Sequence, residues 1–192
     1  MVVRRLISVA FVAILLAGAL PPATADEAVT APSIIEDFTM QPETRWRFFT
    51  DRVMGGISTG DVTFAQENGT SFARMTGHVS TANRGGFIQM RLDLPSPPPY
   101  GTIGVRLVVR GNSQRYYVHI RTTGTLLPWQ YYQEGFEVTE GWREVRLPLD
   151  AFAASGALLR SVPAADSLTS IAVVAYGRDH DARIDVREVG FY

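Results

Sequence analysis

The chain of 192 residues contains no cysteine and no lysine. Without cysteine there is no disulfide, no thiolate metal site, no cysteine nucleophile and no thiol for lipid attachment. Without lysine there is no Schiff base and no lysine general base; all 18 basic residues are arginine. Histidine is scarce, with His78, His119 and His180 alone. His-Glu-x-x-His and a phosphate-binding loop are missing, and Gly56-Ile57-Ser58-Thr59-Gly60 matches Gly-x-Ser-x-Gly by letters only, with no helical stretch after it to make a nucleophile elbow, so the usual nucleophile, zinc and nucleotide chemistries have no supported motif here. No long stretch carries helical periodicity.

The N-terminus has the pattern of a secretory signal peptide. Arg4 and Arg5 precede an apolar run over residues 6–20, Pro21-Pro22 breaks it, and Ala23-Thr24-Ala25 offers a small-x-small cleavage site. The run is shorter than the roughly 20 residues a spanning helix requires. Cleavage after Ala25 would release the chain to the periplasm or the exterior, not leave it an integral membrane protein. Losing Arg4 and Arg5 leaves 16 arginines against 19 acids, a net charge near −3. That balance excludes a nucleic-acid binder, which needs a basic surplus. The remaining length suits one domain. The expected division is a signal peptide over 1–25, a loose tether over 26–33 and a single domain over 34–192.

Within that domain, one strand-like run follows another: 34–38, 46–50, 62–65, 70–79, 86–94, 102–110, 115–121, 130–138, 142–147, 168–176 and 183–192. Asn68-Gly69 marks a hairpin turn. Pro95-Ser96-Pro97-Pro98-Pro99 is a stiff connector, and 153–163 is the longest loop. Short alternating runs separated by turns predict an all-β fold, an antiparallel jelly-roll sandwich.

Several segments, in order, carry a family resemblance. They are Phe38; Trp46 ahead of Asp51-Arg52-Val53-Met54-Gly55-Gly56-Ile57-Ser58; Gly77-His78-Val79-Ser80; Asn83-Arg84-Gly85-Gly86-Phe87; Gly111-Asn112 before Tyr116-Tyr117; Tyr131-Tyr132 with Phe136; and Trp142 through Leu149 with Phe152. Over nearly the whole processed chain, this pattern resembles the NADH:ubiquinone oxidoreductase complex I intermediate-associated protein 30 family. The resemblance implies a galactose-binding-like jelly roll, similar to carbohydrate-binding module family 11. It also implies a non-catalytic role, since mitochondrial members assist assembly of respiratory complex I. Two features depart from the family pattern. Gly177-Arg178-Asp179-His180-Asp181 replaces a Gly-Pro-Phe-like entry to the final strands, and a matrix assembly factor would carry no export signal.

Three places could carry chemistry. The first is the glycine-rich stretch at Asp51, Arg52, Gly55, Gly56 and Ser58. On one reading its backbone N–H groups and Arg52 grip a ligand. On the other, which weighs more, the glycines permit close chain crossing while Asp51 caps turn amides. Asn83 and Arg84 lie in a second such turn. The second place is a polar face. Alternation turns Gln89, Arg91, Arg106, Tyr117, His119 and Arg121 away from the core, and Trp129 and Tyr132 could border them. That makeup suits a glycan or peptide groove, or an ordinary solvated surface. Trp46 and Trp142 read as core. The third, Asp179-His180-Asp181, reads as a turn rather than a metal site. The expectation is therefore a non-catalytic exported domain without cofactor or metal. Its partner would be a protein such as an intermediate of a membrane respiratory complex. The alternative is a module recognising an envelope or extracellular glycan.

Overall fold

The computed structural model describes residues 32–192, so the signal peptide and nearly all of the tether lie outside the described residues. Twelve strands form: β1 Ser33–Glu36, β2 Trp46–Thr50, β3 Thr59–Glu67, β4 Thr70–Val79, β5 Phe87–Asp93, β6 Gly104–Gly111, β7 Arg115–Thr122, β8 Tyr132–Glu137, β9 Arg143–Pro148, β10 Ala153–Ala154, β11 Leu168–Tyr176 and β12 His180–Phe191. They build two six-stranded antiparallel sheets, and the helical pieces among the described residues are short 3-10 turns. The first sheet runs β3-β4-β12-β6-β9, with β1 added along β12; the second runs β10-β8-β7-β11-β5-β2. This is the expected all-β jelly-roll sandwich.

Alternation drives the assembly. Ile88, Met90 and Leu92 of β5, Val118 and Ile120 of β7, and Ile171, Val173 and Ala175 of β11 all point inward. They meet Val105, Leu107 and Val109 of β6 and Ile184, Val186 and Val189 of β12 in one core. Asn68 and Gly69 both take positive φ (50° and 77°), the geometry that a two-residue turn between β3 and β4 requires. Gly60 and Gly77 face each other across β3 and β4. A side chain on Gly60 would meet the Thr76 carbonyl oxygen at 2.4 Å, and glycine there lets Ile88 of the other sheet reach in.

Buried polar groups tie the layers. The Tyr116 hydroxyl accepts a bond from the Arg183 N–H (2.8 Å) and donates to Asn112 Oδ1 (2.7 Å), joining β7 to β12. Burial pushes its pKa up to about 12. Buried Glu36 ends β1 by accepting from the Phe38 N–H (2.7 Å) and from Trp46 Nε1 (2.8 Å). Phe38 then takes a positive φ of 60° and packs on the Trp46 ring at 5.5 Å.

Two expectations are corrected here. Trp46 is core, but Trp142 is not. It shares parity with Glu144 and Arg146, on the outward side of β9, whereas Val145 and Leu147 turn inward. Trp142 therefore lies on the outer face of the first sheet, edge-on to Phe72, with Arg110 over its ring at 4.6 Å. Arg106 also sits on that face, not with the other candidate arginines. It donates to Glu144 (2.8 Å) and Glu188 (2.7 Å) with its side chain only 11% exposed, so it is already satisfied. Nearby, Asp185 accepts from Arg74 (2.7 and 2.8 Å) and Arg110 (2.8 Å). Burial would raise the Asp185 pKa, but the bonds from the two arginines outweigh it and hold the carboxyl below its usual range. The outer face of the first sheet is thus a layer of mutually neutralised charges.

Candidate functional site

Asp51 is fully buried at the end of β2, where the chain enters a 3-10 turn over Asp51–Met54. Its Oδ1 accepts from the Ser58 N–H (2.9 Å). Its Oδ2 accepts from Ser58 Oγ (2.5 Å), from the Gly86 N–H (2.5 Å) and, more weakly, from the Phe87 N–H (3.3 Å). Ser58 Oγ in turn accepts from the Ser80 N–H at 2.9 Å. Desolvation opposes the charge, but the bonds from Ser58, Gly86 and Phe87 win, and the Asp51 pKa is lowered. One carboxylate therefore joins the 51–58 loop to the 82–87 loop, the two glycine-rich turns that sequence could not bring together. Their glycines are explained by it. A Cβ on Gly56 would lie 2.3 Å from Asp51 Cγ, and one on Gly85 would lie 2.3 Å from Asp51 Oδ2. Gly55 has a different reason, a φ of 93° that caps the 3-10 turn.

With Asp51 and Ser58 turned inward, the rest of the loop faces solvent. Val53, Met54 and Ile57 are 72%, 61% and 51% exposed, which is unusual for three large apolar residues within five positions. Arg52 and Arg84 are exposed beside them and form no ion pair among the described residues. Asn83 and Arg84 both hold positive φ (56° and 60°), an uncommon strain for two consecutive side-chain-bearing residues. Asp51, Gly56 and Ser58 are thus the frame of this site; Arg52, Asn83 and Arg84 belong to its surface.

The second site is the outer face of the second sheet. Register places Arg47, Arg91, Ala172, His119 and Gln133 in one row across β2, β5, β11, β7 and β8, and Phe49, Gln89, Val174, Tyr117 and Gly135 in the next. Of the predicted face, Gln89, Arg91, Tyr117, His119 and Arg121 come together here. Tyr132 does not: it pairs with inward Ile120 and is buried in the core, so its neighbour Tyr131 faces out instead. Tyr131 stacks on His119 at 4.1 Å with the rings 7° apart, and its hydroxyl meets that of Tyr176 at 3.3 Å. Tyr117 packs edge-on to Tyr176 at 5.8 Å. Tyr131, Tyr176 and Phe49 escaped the sequence reading; counting alternation back from the apolar Phe136 and Val138 along 130–138 puts Tyr132 inward and Tyr131 outward. Trp129 is 65% exposed at the border, on a loop that Arg121 holds by donating to the Thr125 and Leu127 carbonyl oxygens at 3.0 Å each.

His119 lies beneath Tyr131, and burial pushes its pKa down to about 4 from the ordinary imidazole value of 6.5. It is a neutral floor for the face. Asp179, His180 and Asp181 do not converge on an ion. Asp179 accepts from Thr81 (2.7 Å), His180 Nδ1 meets the Arg178 carbonyl oxygen (2.8 Å), and Asp181 meets His78 (2.9 Å). Gly177–Asp179 turns the chain, and His180 and Asp181 already belong to β12.

Two outcomes test this geometry. Gly56→Ala forces a Cβ into Asp51 and should cost about 2–4 kcal/mol, a fall in melting temperature of roughly 5–15 °C. Gly55→Ala meets no neighbour and should cost only about 1 kcal/mol from its φ; equal losses would refute the clamp. Acid should act through His119. The unfolded chain takes up the imidazole proton near pH 6.5, whereas the folded chain resists it until about 4. Stability present above pH 6.5 is therefore lost as pH falls through that window, by on the order of 3 kcal/mol. Buried His180, also shifted downward, adds in the same direction. Thermal melts of His119→Gln should show a shallower fall between pH 6.5 and 4 than the parent.

The comparisons agree with this architecture. The family 11 carbohydrate-binding module from Clostridium thermocellum, solved with a β-1,3-1,4-mixed-linked tetrasaccharide, superposes with a TM-score of 0.68 at 10% identity, covering 83% of this chain and 94% of that one. The family 11 module of a cellulosomal cellulase from the same organism gives 0.67 at 10% identity, over 83% and 93%. An exo-β-agarase gives 0.56 at 8% identity, over 83% of this chain and 25% of that one. At such identities these likenesses establish the fold alone. Among curated protein sequences there is no significant match. The profile of complex I intermediate-associated protein 30 matches residues 37–177, a span that contains both glycine-rich loops and most of both sheets, and the chain belongs to that family.

Proposed function

We propose that this chain is a non-catalytic binding domain that docks a protein partner through the 51–58 loop, serving the assembly of a membrane respiratory complex. The observation that carries the reading is the loop itself: Val53, Met54 and Ile57 project from a turn fixed by a buried carboxylate, with Arg52 and Arg84 beside them. A loop already rigid before binding loses little entropy on docking. Methionine and arginine are enriched in interfaces, and an apolar centre with a charged rim is the usual interface anatomy. Family membership supports the assembly role, because the family is described by association with a complex I intermediate. The N-terminal sequence supports export to the periplasm or beyond, so the partner would present itself on that side of the membrane. The histidines support a non-catalytic role: His119 lies under Tyr131, and His78 and His180 are engaged by Asp181 and the Arg178 carbonyl oxygen.

A second reading is favoured by a separate observation. The aromatic layer of Tyr117, Tyr131 and Tyr176 beside Gln89, Arg91 and Arg121 has the makeup of a surface that packs sugar rings and hydrogen-bonds their hydroxyls. On this reading the outer face of the second sheet binds an envelope or extracellular glycan.

The docking reading is tested by capture on the immobilised processed chain, with a Val53→Ser, Met54→Ser, Ile57→Ser triple variant alongside. Respiratory-complex subunits should be retained by the parent and lost with the variant, while its melting temperature stays within a few degrees. Subunits that never appear, together with normal complex I levels after gene deletion, would end the assembly reading.

A further inference from the structure

At the end of the second sheet's outer face away from the 51–58 loop, Arg91, Asp93, Arg121, Thr125, Thr169 and Ser170 line a hollow of about 220 Å³. Six residue steps of β5 separate Phe87, beside the Asp51 clamp, from Asp93 at the hollow, a distance of about 20 Å along the strand. The two sites are therefore independent.

Three arginines meet here with one acid. Arg47 pairs with Asp93. Arg91 Nε approaches the same carboxylate at 3.4 Å without hydrogen-bond geometry, so this buried nitrogen has no partner. The Arg91 guanidinium is held by stacking on Phe49 at 5.1 Å. Arg121 is braced by the Thr125 and Leu127 carbonyl oxygens, which bring no charge. Burial, together with the neighbouring charges of Arg47 and Arg121, lowers the Arg91 pKa despite Asp93. On the first sheet, Arg74, Arg106 and Arg110 each have a carboxylate at hydrogen-bond distance, and Arg187, whose Nε is likewise without a hydrogen-bond partner, lies over the Trp142 ring with Glu188 at 3.7 Å. On a chain whose net charge is negative, this surplus of about two positive charges is local.

The register of β11 adds donors. A shift between Leu168 and Ser170 breaks its ladder with β7, and this irregularity brings the consecutive Thr169 and Ser170 to the same hollow. Guanidinium groups beside hydroxyls form a recognition set for a planar or tetrahedral oxyanion. The hollow is smaller than the roughly 300–1,000 Å³ of sites that enclose a drug-sized ligand, so it takes one unit of a longer chain. Exposed Trp129 lies on the loop that Arg121 braces, and the Tyr131 ring lies one row along the sheet. Both offer faces to neighbouring sugar rings.

We propose that this hollow binds the carboxylate of an acidic sugar, making the outer face of the second sheet a site for a uronate-containing glycan. The inference rests on the glycan reading given above and names its ligand class. The test is calorimetric titration of the processed chain with oligogalacturonate, a neutral cello-oligosaccharide and an oligoglutamate peptide. Oligogalacturonate should bind at least about tenfold more tightly than the neutral sugar and should weaken as salt rises. Arg91→Gln should reduce its affinity about tenfold or more. Arg91→Lys, which keeps the charge but not the fork, should fall between the two. Circular dichroism should confirm that both variants keep the fold. Equal binding of neutral and acidic sugars, untouched by Arg91→Gln, would overturn the acidic assignment and leave the glycan reading standing. Binding of neither sugar would end both. Oligoglutamate bound as tightly as oligogalacturonate would overturn the saccharide assignment in favour of an acidic peptide.

Discussion

A single buried carboxylate organises one end of this sandwich. Asp51 is withdrawn from water, which alone would favour its neutral form, yet it is held ionised by N–H and O–H donors from two loops. Such an arrangement is all-or-nothing. A buried charge with its donors in place is stable, and the same charge with one donor missing incurs much of its desolvation cost. The loops that supply the donors therefore cannot drift independently. The glycines follow from the same constraint, because Gly56 and Gly85 leave the space that the carboxyl group fills. The family's most recognisable stretch is first a frame, and its exposed residues are what the frame holds out.

The two sheets divide the remaining work. The outer face of the first sheet places its arginines against Asp185, Glu188, Glu144 and Glu67, so its charges cancel within the protein. The outer face of the second sheet is less self-contained. Its aromatic rings pack on one another, and its arginines outnumber its acids. On the readings proposed above, the docking loop and the anion-accepting hollow lie at opposite ends of β5 and do not compete for the same surface.

Much of this was readable from residue order. Alternation in 86–94 and 115–121 identified β5 and β7 with their inward residues, and Asn68-Gly69 fixed the hairpin between β3 and β4. What local pattern could not carry was anything that depends on which strands are neighbours. Arg106 alternates as cleanly as Arg121, but β6 belongs to the other sheet. Tyr132 and Trp142 were each placed on the wrong side by one residue of parity, which reverses every side chain in a strand. The Asp51 clamp spans 35 residues to Gly86, so neither loop announces the other. Glu36 and Asp185 look like surface acids in sequence; their burial rests on partners elsewhere in the chain, Arg45 and Trp46 for Glu36, Arg74 and Arg110 for Asp185.

The ionised Asp51 bridge is most directly examined by NMR titration of its carboxyl carbon together with the Ser58 and Gly86 amide protons. The account predicts that Asp51 titrates below the ordinary aspartate value of 3.8, and that both amide resonances move with the same midpoint, since both donate to that carboxylate. An Asp51 that titrates at the ordinary value, with the Gly86 amide indifferent to it, would contradict the account.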